Sequence, residues 1–295
     1  MNLVTPVLIP QSPCPIGFDT PLLLLGSCFA DEVGGRFQLA GFDTLCNPFG
    51  TLYNPLSVAA CLRRTIDNRP VADHELVFHD GIWHSWLHHS RFSHSDRATC
   101  LQLCNDSMEQ AHAMLQRSPW LWITFGTAWV FELSPQSGFK VDTPGGVVAN
   151  CHKLPAATFR RRRLDMDEIV AQWQPLLVEL QNLGCRVVFT VSPIRHMADG
   201  AHGNQLSKAT LLLAVERLVE NGAAAYFDSY EILMDELRDY RFYARDLCHP
   251  SDLAVDIVWE RLQQTYMTDA VRQQVVLNEK AARQSLHRPL HPKQE

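Results

Sequence analysis

No excess of basic residues runs through this chain of 295 residues: 26 lysines and arginines face 32 aspartates and glutamates, a formal net charge of −6. That balance argues against nucleic acid or an anionic membrane surface as a partner. Long apolar runs are also missing, so no segment is expected to span a bilayer, and Met1–Thr20 lacks the basic start and apolar core of a signal peptide. Paired cysteine spacings are absent. The nine cysteines form an odd, scattered set in a chain large enough to bury a core without staples. Reduced thiols in a cytoplasmic setting are the expectation. There is no internal repeat.

What remains is an ordinary globular composition, 46% hydrophobic and 20% charged, enough for one α/β domain or two smaller ones. Residues 1–20 carry four prolines and read as an irregular lead-in. "PLLLL" (Pro21–Leu25), "FDTLCNPFG", "WLWITFG", "CRVVFTVSP" and "AAAYFDS" are short apolar runs suited to buried parallel strands. Helical patterns alternate with them. "FADEVGGRFQLAG" has acidic residues in its first turn, and "DMDEIVAQWQPLLVELQNLG" opens with Asp165 and Glu168 at capping-box spacing and closes at Gly184. "QLSKATLLLAVERLVENG" and "DLAVDIVWERLQQTY" read as two more. Alternation of this kind predicts one doubly wound, five-stranded parallel sheet over residues 21–275. Within it, 55–119 is less regular: two helices flank an aromatic, histidine-rich stretch with a hairpin signal at Asp80-Gly81. Residues 276–295 read as a polar, flexible tail.

Catalytic groups in such a sheet gather beyond the C-terminal strand ends. Four loops qualify. Gly26-Ser27-Cys28 places two adjacent nucleophiles at a strand-to-helix turn, where the helix N-terminus favours an anion. "NPFGTLYNP" carries Asn47 and Gly50, the glycine allowing close backbone approach to a ligand. "TFGTAW" carries Gly126 and Thr127, and "ARDLCHP" carries Asp246 and His249. A carboxylate three residues ahead of an imidazole can hold the ring's tautomer and stabilise its protonated form. Taken alone the motif is weak, and the plainer reading is a helix-capping aspartate beside a surface histidine.

In this order the loops resemble the SGNH or GDSL-type hydrolases. More closely, "GSCFA", "NPFG", "YNP", "TFGTAW", "SPIRH", "SYEILMDELRDYRFYA" and "HP" resemble the GSCFA family, a branch of that superfamily, from about Pro21 to Glu260. The resemblance implies a flavodoxin-like three-layer α/β/α sandwich and acyl-ester chemistry, with Gly50 and the nucleophile's backbone amides holding the oxyanion. It implies His249 as general base and acid and Asp246 as its orienter. Two departures stand out. Where the superfamily has G-x-N, this chain reads Gly126-Thr127-Ala128, so Thr127, Asn47 or Asn150 would have to replace the asparagine. In G-D-S the serine stands two places after the glycine, a register that here selects Cys28. A strand ending one residue earlier would select Ser27. A cysteine at a helix N-terminus beside a histidine is expected to have a lowered pKa.

Other stretches carry weaker chemistry. In "WHSWLHHSRFSH", His84 and His88 stand four apart with His89 and His94 nearby, but too few ligands accompany them and no metal is expected. A substrate-lining or solvated loop fits better. "NCHK" groups Asn150, Cys151, His152 and Lys153, able to bind an anionic group or to form a plain polar turn. Arg195 in "SPIRH" could clamp a carboxylate or phosphate bidentately, or sit in a structural salt bridge. "FRRRR" (Phe159–Arg163) reads as a solvated run before a helix. The expectation is therefore a cofactor-free enzyme hydrolysing an acyl ester on a small or saccharide-like substrate through Cys28 or Ser27. An acyltransferase with a thioester donor and an inactive binding module are the alternatives. Oligomeric state stays open.

Overall fold

The structure, a computed structural model, describes residues 5–286. Five parallel strands form the central sheet: β1 (Leu22–Gly26), β2 (Thr44–Cys46), β5 (Trp120–Phe125), β9 (Arg186–Val191) and β10 (Ala224–Tyr226). Their order across the sheet is β10-β9-β5-β1-β2, the doubly wound arrangement in which the chain leaves β1 in one direction and returns on its other side. Because both faces are covered, strand residues are apolar without alternation. β1 shows this directly. Leu23 and Leu25 point into the core beneath α2 (Pro55–Ile66), α4 (Met166–Asn182) and α5 (Gly200–Val219), while Leu22 and Leu24 face α1 (Cys28–Leu39) and α7 (Asp252–Tyr266). The expected three-layer α/β/α sandwich is what forms.

Local sequence sets the helix ends. Asn54 caps α2, its side chain accepting from the Ser57 amide at 2.9 Å, and Pro55 takes the first helical position, where a missing N–H costs nothing. Asp165 caps α4 through the Glu168 amide at 2.8 Å, as the spacing suggests. Trp173 on α4 is fully buried against Phe125 and Phe189, and its indole N–H donates to the Pro55 carbonyl at 3.1 Å. It therefore joins α4 to the sheet and to the start of α2.

The less regular region holds the β3 (Leu76–His79) and β4 (Ile82–Ser85) hairpin, turning at Asp80-Gly81, followed by α3 (Arg97–Leu115). The structure differs from the sequence reading in two places. A second sheet, antiparallel, pairs β6 (Trp129–Leu133) with β7 (Val147–Val148) and β8 (Phe159–Arg163). "FRRRR" is thus a strand, though a largely exposed one that leads into α4 as the solvated run was expected to. Its arginines are strand-compatible because Arg160 and Arg162 meet Glu132, Arg162 also meets Glu168, and Arg161 meets Asp199. The "SYEILMDE" stretch forms a turn of helix, α6 (Ser229–Glu231), widening into a π turn over Ile232–Glu236. Finally, the supposed tail is helical as far as Leu286: α8 (Asp269–Leu286) buries Val275, and Asn278 donates to the Ala40 carbonyl at 2.8 Å. Residues 287–295 lie outside the described residues. Among the described residues no helix is long and apolar enough to cross a membrane.

Trp173→Ala would remove a fully buried indole and its hydrogen bond together. The expected loss is about 3–5 kcal/mol, read as a lower denaturation midpoint at unchanged m-value.

Candidate functional site

The first loop is set by backbone geometry. Gly26 ends β1 at φ 135°, and a Cβ there would lie 2.1 Å from the Thr124 carbonyl oxygen of β5, so a side chain cannot be accommodated. The turn is fixed further by Ser27 N–H donating to that carbonyl at 3.1 Å and by Gly26 N–H donating to Asn47 Oδ1 at 2.8 Å. Ser27 then caps α1: it is buried, and its Oγ accepts from the Phe29 amide at 3.3 Å. Cys28, the first residue of α1, is half-buried and projects into the cleft. Its own amide N–H has no acceptor among the described residues.

Facing Cys28 is the loop before α7. Cys28 Sγ lies 3.7 Å from His249 Nε2, and His249 Nδ1 lies 2.6 Å from Asp246 Oδ2. The other carboxylate oxygen of Asp246 accepts from the Cys248 amide at 2.9 Å and the His249 amide at 3.0 Å. Leu247, at φ 58°, takes the left-handed turn that folds these amides back onto the carboxylate. The His249 and Cys248 amides, with the imidazole, hold the Asp246 carboxyl down at about 2. Ionised, that carboxylate can only accept, so Nδ1 carries the proton and Nε2 presents its lone pair to the thiol.

Burial pushes the Cys28 thiol up, and the carboxylates of Asp31 and Glu32 add to the effect against the opposing pull of its own amide. This reverses the expectation of a lowered pKa. The helix terminus does favour the thiolate, but desolvation outweighs it. Burial therefore favours the thiol of Cys28 over its thiolate at rest.

A cavity of about 620 Å³ opens in front of this pair. Of the residues anticipated from sequence, it is lined by Cys28, Thr127, Asn150, Arg195 and His249. Asn150 Oδ1 accepts from the His152 amide at 2.8 Å, leaving its Nδ2 without a partner among the described residues. Several anticipated residues lie elsewhere or are already engaged. The Gly50 amide donates to the Asn47 carbonyl at 2.8 Å, and His89 packs where a Gly50 side chain would be. The Gly126 and Thr127 amides both donate to the Tyr53 carbonyl, at 2.8 and 2.9 Å, so neither is free to hold an oxyanion. The Thr127 hydroxyl accepts from the Trp129 amide at 3.1 Å and meets Ser207 Oγ at 3.0 Å. Asn47 is fully buried behind Gly26 and supports the first loop, away from the cavity. His84 and His152 stack on each other, centroids 4.4 Å apart, away from the cavity. His84 Nδ1 meets Ser93 Oγ at 2.7 Å, and His152 Nε2 meets the Ser85 carbonyl at 2.8 Å. Lys153 is exposed and also lies off the cavity. The β4 strand and its following loop, not a helix, carry His84, His88 and His89, so the i, i+4 spacing does not put two rings on one face.

Two groups were not anticipated. His196 lines the cavity, lowered to about 4 by burial and by the nearby Lys208 charge, with its Nε2 buried and unpartnered. Lys208 is fully buried beneath the site. Its ammonium donates to the carbonyls of Gly126 and Ser192, both at 2.6 Å, and burial lowers it to about 7 while the neighbouring Cys28 opposes that shift. A signal did exist in the sequence: Lys208 falls on the buried stripe of α5 with Asn204, Leu211, Val215 and Leu218, where a lysine needs partners.

A parallel α/β sheet thus carries thiol, imidazole and carboxylate in successive contact at the ends of its strands. The chain belongs to the GSCFA family, whose model matches residues 21–262. A comparison with curated proteins finds no match. Among solved structures, a putative acylhydrolase from Bacteroides fragilis is similar over 89% of this chain and 91% of its own, at 9% identity and TM-score 0.39. Two variants of an acetyl-xylooligosaccharide esterase from Geobacillus are similar over 86% of this chain and 97% of theirs, at 12% and 14% identity and TM-score 0.41.

A thiol raised by burial exposes more thiolate as pH increases, with no plateau near neutrality. Site-resolved mass spectrometry of iodoacetamide labelling should therefore show Cys28 reactivity still climbing above pH 9, the ordinary thiol value. A plateau below pH 7 would mean a standing thiolate–imidazolium pair instead.

Proposed function

We propose that this protein is an SGNH-like enzyme that hydrolyses an acyl ester through Cys28. The observation that carries the reading is the unbroken line from Cys28 Sγ through the His249 ring to Asp246 Oδ2. His249 Nε2 takes the thiol proton as Sγ attacks the ester carbonyl carbon, and Asp246 stabilises the imidazolium that forms. The Cys28 amide, at the helix N-terminus, donates to the oxyanion. Asn150 Nδ2 is the side chain best placed to act where the superfamily uses its asparagine, since Thr127 is engaged and Asn47 is buried. As the intermediate collapses, the carbon–oxygen bond breaks and the leaving alkoxide takes the proton from Nε2. A thioester remains on Cys28. His249 then deprotonates a water, which attacks the thioester and releases the acid and the thiolate, and the thiolate recovers its proton from His249.

Ser27 serves a different end in this reading: its hydroxyl caps α1 and its burial keeps it from the substrate. An acyltransferase would pass the same thioester to an acceptor alcohol. Hydrolysis is favoured because the His249 side chain is 49% exposed, so water reaches the base directly. A small or saccharide-like ester fits a cleft of this size. Nine unpaired cysteines suit a reducing compartment such as the cytoplasm.

With 4-nitrophenyl acetate as substrate, intact-mass measurement should show an acetyl adduct on Cys28. Cys28→Ala should abolish turnover, and His249→Ala should lower kcat by about 10²–10⁴-fold. Ser27→Ala should still acylate while losing about 1 kcal/mol of stability with its cap. Full activity in Cys28→Ala would overturn the mechanism.

A further inference from the structure

Charge in the cleft runs against the charge of the whole chain. Its walls carry two guanidiniums, Arg161 and Arg195, against the single carboxylate of Asp199, in a protein of formal net charge −6. The two arginines differ in what they already hold. Arg161 is paired with Asp199, and its guanidinium lies 4.3 Å from the Trp129 ring centroid, so it forms part of the wall. Arg195 has no carboxylate within ion-pair distance among the described residues, so the structural salt bridge that would explain it does not form.

Arg195 is nonetheless held in place. Its backbone N–H donates to the Cys248 carbonyl at 3.1 Å, Nη1 donates to the Leu247 carbonyl at 3.3 Å, and its guanidinium lies 5.4 Å from the Tyr243 ring centroid. Leu247 and Cys248 belong to the loop that carries His249. The cationic fork is thus tied directly to the loop of the base, on the wall of the same cavity. A guanidinium pre-oriented this way, with donors to spare and no anion of its own, matches a planar oxyanion group bidentately. Resting on the acyl-ester reading, we propose that the substrate carries an oxyanion group, carboxylate or phosphate, and that Arg195 binds it and selects for it.

Binding and turnover test this separately. In the full-length protein, the rate of Cys28 alkylation by iodoacetamide is measured against increasing succinate and, in a parallel series, inorganic phosphate, at constant ionic strength. Saturable protection by one or both is expected, and the effective anion tells carboxylate from phosphate. Arg195→Gln should weaken that protection at least about tenfold, as loss of a charge-assisted pair implies, and Arg195→Lys should recover part of it. Because the lysine variant keeps the charge, a folding defect in the glutamine variant does not decide the matter. Absence of protection in the wild type by either anion, or equal protection in Arg195→Gln, overturns the proposal. Turnover adds an independent reading. The kcat/KM ratio of mono-4-nitrophenyl succinate to 4-nitrophenyl acetate should fall at least about tenfold in Arg195→Gln if the anion is a carboxylate on the acyl side. If the wild type turns over neither ester yet is protected through Arg195, the acyl-ester reading fails while the anion site stands.

Discussion

The close approach of Gly26 to the Thr124 carbonyl is the contact on which the site depends. It allows β1 to end hard against β5 and the chain to turn at once into α1, so that Ser27 becomes the cap and Cys28 the first helical residue. Strand order does the rest. β1 and β5 lie at the point where the chain's direction across the sheet reverses, and the crevice there is bounded by the loops that follow each strand. Asn47 and Tyr53 brace those loops from beneath, one taking the Gly26 amide and the other the Gly126 and Thr127 amides. Groups that could have faced a substrate are used instead to hold the frame.

Electrostatically the site has two levels. At the open surface, Asp246 is ionised by the amides of its own loop and fixes the His249 tautomer. Below, burial works against charge. It raises the Cys28 thiol, lowers Lys208 to about 7 and keeps His196 neutral at about 4. A buried lysine held between two strand-end carbonyls sits where parallel strands expose acceptors without donors, so it satisfies the sheet edge as well as placing positive potential under the thiol. The carboxylates of Asp31 and Glu32 oppose it from α1.

Much of the parallel core was readable because buried strands and amphipathic helices leave strong local patterns. The four leucines of β1, the capping aspartate of α4 and the Asp80-Gly81 turn each act through their immediate neighbours. The antiparallel sheet was not readable. Only three residues separate its central strand from β5, and one of its two edge strands carries four consecutive arginines. Such a strand pairs with β6 along its whole length, and Glu132, Glu168 and Asp199 arrive from three other segments to meet its arginines. The last helix, α8, is hidden in the sequence for a related reason. Its polar composition resembles a tail, and it is held by docking Val275 and Asn278 against the body of the domain.

That a serine–cysteine pair follows the first strand and an Asp–His pair precedes a late helix is legible in the sequence, because each motif is local. The sequence leaves Ser27 and Cys28 as the two candidate nucleophiles. Only the tertiary structure showed which of them faces the imidazole. Adjacent residues on a helical turn point about 100° apart, and a strand end displaced by one position exchanges their directions. Here the Gly26 contact with β5 sets that end, turns the Ser27 hydroxyl inward to the helix and leaves the Cys28 thiol 3.7 Å from His249.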